Sequence, residues 1–266
     1  MEKIVIIKGG VGNQLFQYGL YCQFKERGLR VKALNCCSDH NGYELEKYFE
    51  VDIELCKSSY IRLFLLLCRL PQFVRRKIII DRFRYSESPM ALFYNDFWQS
   101  KRFFPSKKWV RFKTLPLNEK NMMAINKIVG TNSVALHVRR GDYLESGCAT
   151  LFTNLCQTDY YRKAIDYICQ HVENPHFFIF SNDIEWCRQN ITLQECTYID
   201  WNTGNSSIFD MYLMSKCKYV IMANSTFSFW GAYLNEKAKL VIYPDEWYNG
   251  FKDETLDIFP ESWIKL

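Results

Sequence analysis

The stretch KIVIIKGGVGNQLFQYGL (Lys3–Leu20) decides the fold class. Ile4, Val5, Ile6 and Ile7 form an unbroken β-branched run, which suits a strand covered on both faces, as in a parallel sheet. A first strand is therefore predicted over Lys3–Lys8, and Gly9-Gly10-Val11-Gly12 follows as a turn. Apolar residues then recur at helical spacing through Leu15, Phe16, Leu20 and Phe24. This predicts a helix over Asn13–Gly28, with Gly28 suited to the C-terminal cap. A second strand is predicted over Arg30–Asn35. Strand, glycine turn, helix and strand in that order open an α/β architecture.

The same grammar returns after residue 130. Strands are predicted at Ser133–Val138, His176–Phe180, Tyr198–Asp200, Tyr219–Ala223 and Lys239–Tyr243. Helices are predicted at Thr158–His171, Ser207–Lys216 and Phe227–Leu234. The stretch between, about 36–120, is aromatic-rich and irregular and reads as helices and short loops. Within it, IRLFLLLCRLPQFVRRKIII (61–80) has an uninterrupted apolar part, Leu63–Cys68, far short of the roughly 20 residues that a membrane span needs. It reads as a core helix followed by a polar turn and a strand. A basic patch resting on a membrane surface is its second reading.

With 266 residues, the chain has room for one large domain or two of ordinary size, and can bury a core without disulfides or metal. The net charge of +5 is mild, and no long basic run with interleaved aromatics gives a nucleic-acid footprint. The excess fits a pocket for a phosphorylated small molecule. Eleven cysteines, an odd number without a Cys-x-x-Cys pair, indicate neither a zinc ribbon nor a thioredoxin-type site. The start MEKIVIIKGG lacks the marks of a signal peptide, so free thiols and a cytoplasmic location are expected.

Polar residues collect in four places, each after the C-terminal end of a predicted strand, which is the edge where open α/β sheets bind ligands. GGVGNQ (9–14) offers close backbone approach at Gly10 and Gly12 and a helix N-terminus for an anion. It is neither the dinucleotide fingerprint nor a Walker loop. The other reading is a turn whose Asn13 caps the helix. HVRRGDY (137–143) is the sharpest cluster. Arg139 and Arg140 face different ways by the period-two rule, so one can enter a crevice while the other serves the surface or a carboxylate. The planar guanidinium matches phosphate oxygens in pairs and stays charged. Asp142 can orient an arginine or accept a proton, and His137 shares a face with Arg139. FIFSND (178–183) puts Asp183 where it can accept from a base or ribose, or cap the next helix. MANSTF (222–227) gathers Asn224, Ser225, Thr226 and Phe227 at a strand-to-helix junction suited to a diphosphate. No Asp-x-Asp, His-Glu-x-x-His or Gly-x-Ser-x-Gly occurs.

GGVGNQLFQY (9–18), HVRRGDY (137–143), FSND (180–183) and NSTFSFWGAYL (224–234) together resemble, in order, the motifs of the bacterial α-1,2-fucosyltransferases, glycosyltransferase family 11. The departures are slight: Val11 where Leu is commoner, and Phe229-Trp230 where two tryptophans are usual. Residues 36–120 carry no matching motif. The resemblance implies a GT-B fold, two Rossmann-like domains facing a cleft. An acceptor-side domain is expected over residues 1–130 and a GDP-fucose-binding domain over 131–266. It implies inverting transfer of L-fucose from GDP-β-L-fucose to O2 of a terminal galactose on a glycan, such as an O-antigen repeat. No metal or other cofactor is expected.

In that scheme Arg139 meets the β-phosphate, supplying positive charge that a metal would otherwise bring to the departing diphosphate. Asn224, Ser225, Thr226 and Phe227 add donors. Gly10, Gly12, His137, Arg140 and Asp183 are carried over as donor-binding, Asn13 as a residue near the reacting centre, and Asp142 as the nearest carboxylate for a base. An α-1,6-type fucosyltransferase and a non-catalytic nucleotide-sugar-binding protein are the alternatives. Expected partners are GDP-fucose and a galactose-terminated acceptor, with no nucleic acid, no transmembrane span and a peripheral membrane contact left open.

Overall fold

The β-branched run at the N-terminus is strand β1 (Lys3–Ile7), buried along its whole length in the computed structural model. The structure describes residues 2–81, 90–103, 109–145, 147, 149–249, 251–252 and 256–266. The chain forms two compact units, Met1–Thr114 and Leu115–Leu266.

In the first unit, helix α1 (Val11–Glu26) follows β1 and returns the chain to β2 (Val31–Asn35), which pairs parallel with β1. Gly28, at φ +72°, takes the left-handed conformation that ends the helix where the glycine was expected to. Helix α1 starts two residues earlier than predicted. Gly10 is its N-cap, so the reading of Asn13 as the cap does not hold. Helices α2 (Leu45–Tyr48), α3 (Ser59–Cys68) and α4 (Gln72–Ile78) lead to the short strands β3 (Ile79–Ile80) and β4 (Phe93–Tyr94). The sheet order is β2-β1-β4-β3, all parallel. Segment 61–80 is thus helix, helix and strand. Contrary to the core-helix reading, no residue of α3 is fully buried, because only one face of it meets the sheet.

In the second unit, α5 (Glu119–Gly130) precedes β5 (Asn132–Val138), and α6 (Tyr160–His171) leads to β6 (Pro175–Ser181). Then come α7 (Ile184–Asn190), β7 (Cys196–Ile199), α8 (Ile208–Met214), β8 (Tyr219–Ile221), α9 (Thr226–Tyr233) and β9 (Leu240–Tyr243). A small hairpin, β10 (Glu246–Tyr248) with β11 (Phe251–Lys252), and a last strand β12 (Ile264–Lys265) complete it. The sheet runs β12-β9-β8-β5-β6-β7 with every pairing parallel. Numbered by appearance, that is the doubly wound order 3-2-1-4-5-6, in which the strand order reverses between the first strand and the fourth. Here those are β5 and β8.

The central strands are apolar on both faces: Val134 through Leu136 and Phe178 through Phe180 are fully buried. That is why their sequences run continuously hydrophobic instead of alternating. Helix α5 lies before the expected boundary at residue 130 but belongs to the second unit. Asn121 exchanges hydrogen bonds of 2.9 Å with Asn202, whose Nδ2 also donates to Asp210 at 2.8 Å, tying α5 to α8. Among the described residues ten cysteines are free; Cys148 lies outside them. No helix of the described residues is long and apolar enough to cross a membrane.

Candidate active site

The reversal point of the second unit's sheet brings two of the four clusters together. Strand β5 ends at Val138 and delivers Arg139 and Arg140; the segment after β8 delivers Asn224 and Ser225 into the start of α9. Tyr143 joins the two. It lies in the 3₁₀ turn Gly141–Leu144, its hydroxyl donates to the Asn224 carbonyl at 2.9 Å, and its ring lies 5.5 Å below the Arg139 guanidinium. Phe152 stacks on that ring at 4.4 Å and itself stacks on Tyr248. The arginine at the reversal point therefore rests on an aromatic column, which holds a cation by the ring face and by packing.

The two arginines part company as their alternation requires. The Arg140 guanidinium forms an ion pair with Asp183 and lies 5.1 Å over the Trp186 ring. Its backbone N–H donates to Asn182 Oδ1 at 2.9 Å. The other Asp183 oxygen accepts from the Trp186 N–H at 3.2 Å and caps α7. The helix-cap reading of Asp183 is met, and its second oxygen pairs with Arg140, the arginine expected to serve the surface or a carboxylate. Asp183 and Arg140 are engaged with each other, at the end of β6 beside that of β5. Gly141 is required there: a Cβ at this position would come within 2.6 Å of Asn182 Nδ2.

His137 lies on β5 with 4% exposure, its ring 5.7 Å from that of Phe227. Burial first, then the nearby Arg139 charge, pushes its pKa down to about 3, so the imidazole is neutral near pH 7. Its Nδ1 is buried without a hydrogen-bond partner among the described residues. Asn224, 1% exposed, donates from Nδ2 to the carbonyls of Thr153 at 2.9 Å and Trp247 at 3.0 Å. Its donor hydrogens are thus spent on the loops behind the site. Ser225 is the N-cap of α9, and its side chain makes no capping hydrogen bond among the described residues. The first-turn N–H groups of Thr226 and Phe227 sit at the positive end of the helix dipole, the arrangement that receives anions elsewhere. Ser228 Oγ turns back to accept from the Ala223 N–H at 3.1 Å. The side chain of Asp142 lies outside the described residues.

The first unit collects its own polar group after β1. Gly9, at φ +74°, allows the turn, and a Cβ there would press on Asn13 Nδ2 at 3.2 Å. The ring of His40 lies 3.5 Å from where a Cβ of Gly10 would be. Gly12 is buried in the first turn of α1. Asn13 Oδ1 accepts from Gln99 Nε2 at 3.0 Å, and Gln14 Nε2 donates to the carbonyls of Gly9 and Gly42 at 2.8 Å. Lys8 Nζ donates to Asn95 Oδ1 at 2.7 Å, with burial pulling its pKa down. Gln99, His40 and Asn95 carried no motif signal, since they come from the irregular stretch and from past β2. Tyr143 and Trp186 were in view, and their position inside or beside the arginine and aspartate motifs was the signal.

The chain is similar to known proteins over most of its length. The model of the family described as Glycosyl transferase family 11 matches residues 75–266. An alpha-1,2-colitosyltransferase of Escherichia coli is 31% identical, with 98% of this chain and 97% of that protein covered. The O-antigen biosynthesis glycosyltransferase WbnK of Escherichia coli is 30% identical, with 98% and 99% covered. Among solved structures, the fucosyltransferase NodZ from Bradyrhizobium aligns with a TM-score of 0.54 at 16% identity, covering 92% of this chain and 95% of that one. An α-1,6-fucosyltransferase NodZ structure soaked with GDP-fucose aligns equally well, at 15% identity. NodZ is of the GT-B type, and the two parallel α/β units give this chain the same fold class. A family model over most of the chain and two relatives matched end to end make this chain a member of glycosyl transferase family 11, the fucosyltransferase family its motifs resemble.

Proposed function

We propose that the protein transfers L-fucose from GDP-β-L-fucose to O2 of a terminal galactose, with inversion and without a metal. The observation that carries this reading is the Arg139–Tyr143–Asn224 connection across the reversal point of the second unit's sheet. It places a permanent cation beside the uncapped start of α9, where a nucleotide diphosphate belongs in this fold. As the glycosidic bond breaks, negative charge grows on the β-phosphate, and donors already in place lower that barrier most effectively. Arg139 supplies the charge; the backbone N–H groups at Thr226 and Phe227 supply hydrogen bonds. The absence of Asp-x-Asp from the sequence supports a reaction without a metal.

The remaining site residues take more specific roles. Arg140 and Asp183 act as a positioning pair that fixes the end of β5 against the start of α7. Asn224 holds the loops behind the diphosphate through its two carbonyl contacts. His137, neutral and buried, supports Phe227 from below. Asp142 is the carboxylate of the arginine motif and accepts the O2 proton. Asn13 with Gln99, and the glycines at 10 and 12, belong to the acceptor-side unit.

A second reading concerns the donor alone. The relative named for colitose, which is fucose without its 3-hydroxyl, makes GDP-colitose the rival sugar nucleotide. A site that hydrogen-bonds a hydroxyl rejects the deoxy analogue strongly, whereas an apolar site discriminates little. The test is incubation with each GDP-sugar and a panel of galactose-terminated acceptors, read by mass spectrometry and linkage analysis, with and without EDTA. The expected result is an α-1,2-fucosyl product formed at the same rate with chelator. No transfer to any acceptor, an α-1,6 linkage, or EDTA inhibition reversed by Mg²⁺ or Mn²⁺ would each overturn the reading.

A further inference from the structure

We infer that the outward face of α3 and α4 is a docking surface for an anionic bilayer, independent of the transfer chemistry. Helix α3 is apolar nearly all round, a pattern expected of a helix covered on every side. Here only one side is covered: Tyr60, Ile61, Phe64, Leu67 and Cys68 pack on the core of Ile4, Ile6, Leu34, Ile79 and Phe93. The opposite side carries Leu65 at 55% exposure and Leu66 at 61%, and Phe73 on α4 follows at 73%. These side chains face solvent at a cost of apolar hydration.

Their neighbours say what covers them. Arg62 and Arg69 flank the leucines on the same helix, and Arg75, Arg76 and Lys77 close α4, while residues 61–80 contain no acid. The three cations of α4 have a local use, since they sit at the negative end of its dipole. Arg69, the C-cap of α3, shares that use at the end of its own helix, but Arg62, in the first turn of α3, has none of that kind. A stripe of exposed leucine and phenylalanine bordered by cations is the composition of a helix lying in a bilayer interface, apolar side chains inserted and cations at the phosphates. A second copy of the chain is disfavoured as the occupant, because it would bring the same cations face to face. With ten residues in α3 and seven in α4, neither helix can span, so both lie in the plane.

The experiment is cosedimentation of the full chain with phosphatidylcholine vesicles, with and without phosphatidylglycerol, beside light scattering of the protein alone. One variant carries Arg62→Glu, Arg69→Glu and Arg76→Glu; the other carries Leu65→Ser, Leu66→Ser and Phe73→Ser. Each surface cation is worth about fivefold in partitioning, so losing three makes the charge variant bind anionic vesicles at least about a hundredfold less, before the repulsion of the three added carboxylates. The apolar variant should lose at least about tenfold. Both should keep wild-type transfer to a soluble acceptor, which reports the fold without a membrane. Failure of the wild type to bind anionic vesicles, equal binding to neutral ones, or binding unchanged in both variants would overturn the inference. So would a wild-type dimer that the leucine variant converts to monomer.

Discussion

Arg139 and Arg140 are adjacent and chemically identical, yet the structure assigns them opposite consequences when removed. Arg140 is tied into the fold by a charge-assisted pair with Asp183 whose side chains are 26% and 28% exposed, and by the Trp186 ring. A hydrogen bond to a charged group contributes about 1.5–3 kcal/mol when buried; a quarter of exposure brings this pair to about 1–2 kcal/mol. For a chain of this size, that lowers Tm by roughly 2–8 °C. Arg139 lies over the Tyr143 ring, and losing that contact in Arg139→Ala costs about 0.5–1 kcal/mol, a few degrees in Tm. Its loss should appear in turnover, where removing one donor aimed at developing charge costs roughly 10²–10³ in kcat. The assay is kcat and KM for GDP-fucose with a galactoside acceptor, alongside calorimetry, for Arg139→Ala, Arg140→Ala, Asp183→Asn and the Arg140/Asp183 double variant. The expected pattern is catalytic loss without unfolding for Arg139, and shared, non-additive destabilisation for Arg140 and Asp183. Near-normal turnover by a folded Arg139→Ala, or a hundredfold kcat loss in Arg140→Ala at unchanged Tm, would refute the division of labour.

Other consequences follow from single contacts. Gly141→Ala must push Asn182 aside and break its 2.9 Å acceptance of the Arg140 N–H, costing about 1 kcal/mol and lowering kcat; urea unfolding and the transfer assay read both. Asn224→Ala removes one of the two donors from each of two buried carbonyls, which keep the N–H groups of Leu155 and Thr153, and should destabilise by about 1–3 kcal/mol, measured the same way. His137 titrates far lower folded than unfolded, so between its ordinary pKa and about 3 the unfolded chain binds the extra proton and stability falls as pH falls. Between pH 6.5 and pH 5 the wild type should lose about 2 kcal/mol more than His137→Gln, compared by urea midpoints at the two pH values.

What the sequence disclosed depended on whether one reason governed each residue. The longer strands of both sheets were legible because burial on two faces leaves only apolar β-branched and aromatic side chains, as in β1 and β6, whereas the two-residue strands β4 and β12 are too short to show a pattern. The doubly wound order of the second sheet was not, since pairing follows from long-range packing that no local window contains; only its edge effect, polar clusters after strand ends, showed through. Helix α5 escaped notice because the interactions that place it, Asn121 with Asn202 and Trp201, reach 80 residues ahead. Asp183 offers the sequence a choice between cap and ligand contact, and the structure adds a partner the sequence does not assign to it: a carboxylate has two oxygens, and here one caps α7 while the other pairs with Arg140. The alternative reading of Asn13 as a cap fails for the converse reason. The cap position went to Gly10, leaving the amide to meet Gln99 from a stretch with no motif. Segment 61–80 shows the same limit from the apolar side. Periodicity reports that α3 is hydrophobic, but not that the sheet covers one face of it. Where a helix is apolar nearly all round, the sequence does not distinguish a core helix from one with an exposed apolar face, and only the exposure of Leu65, Leu66 and Phe73 decides it.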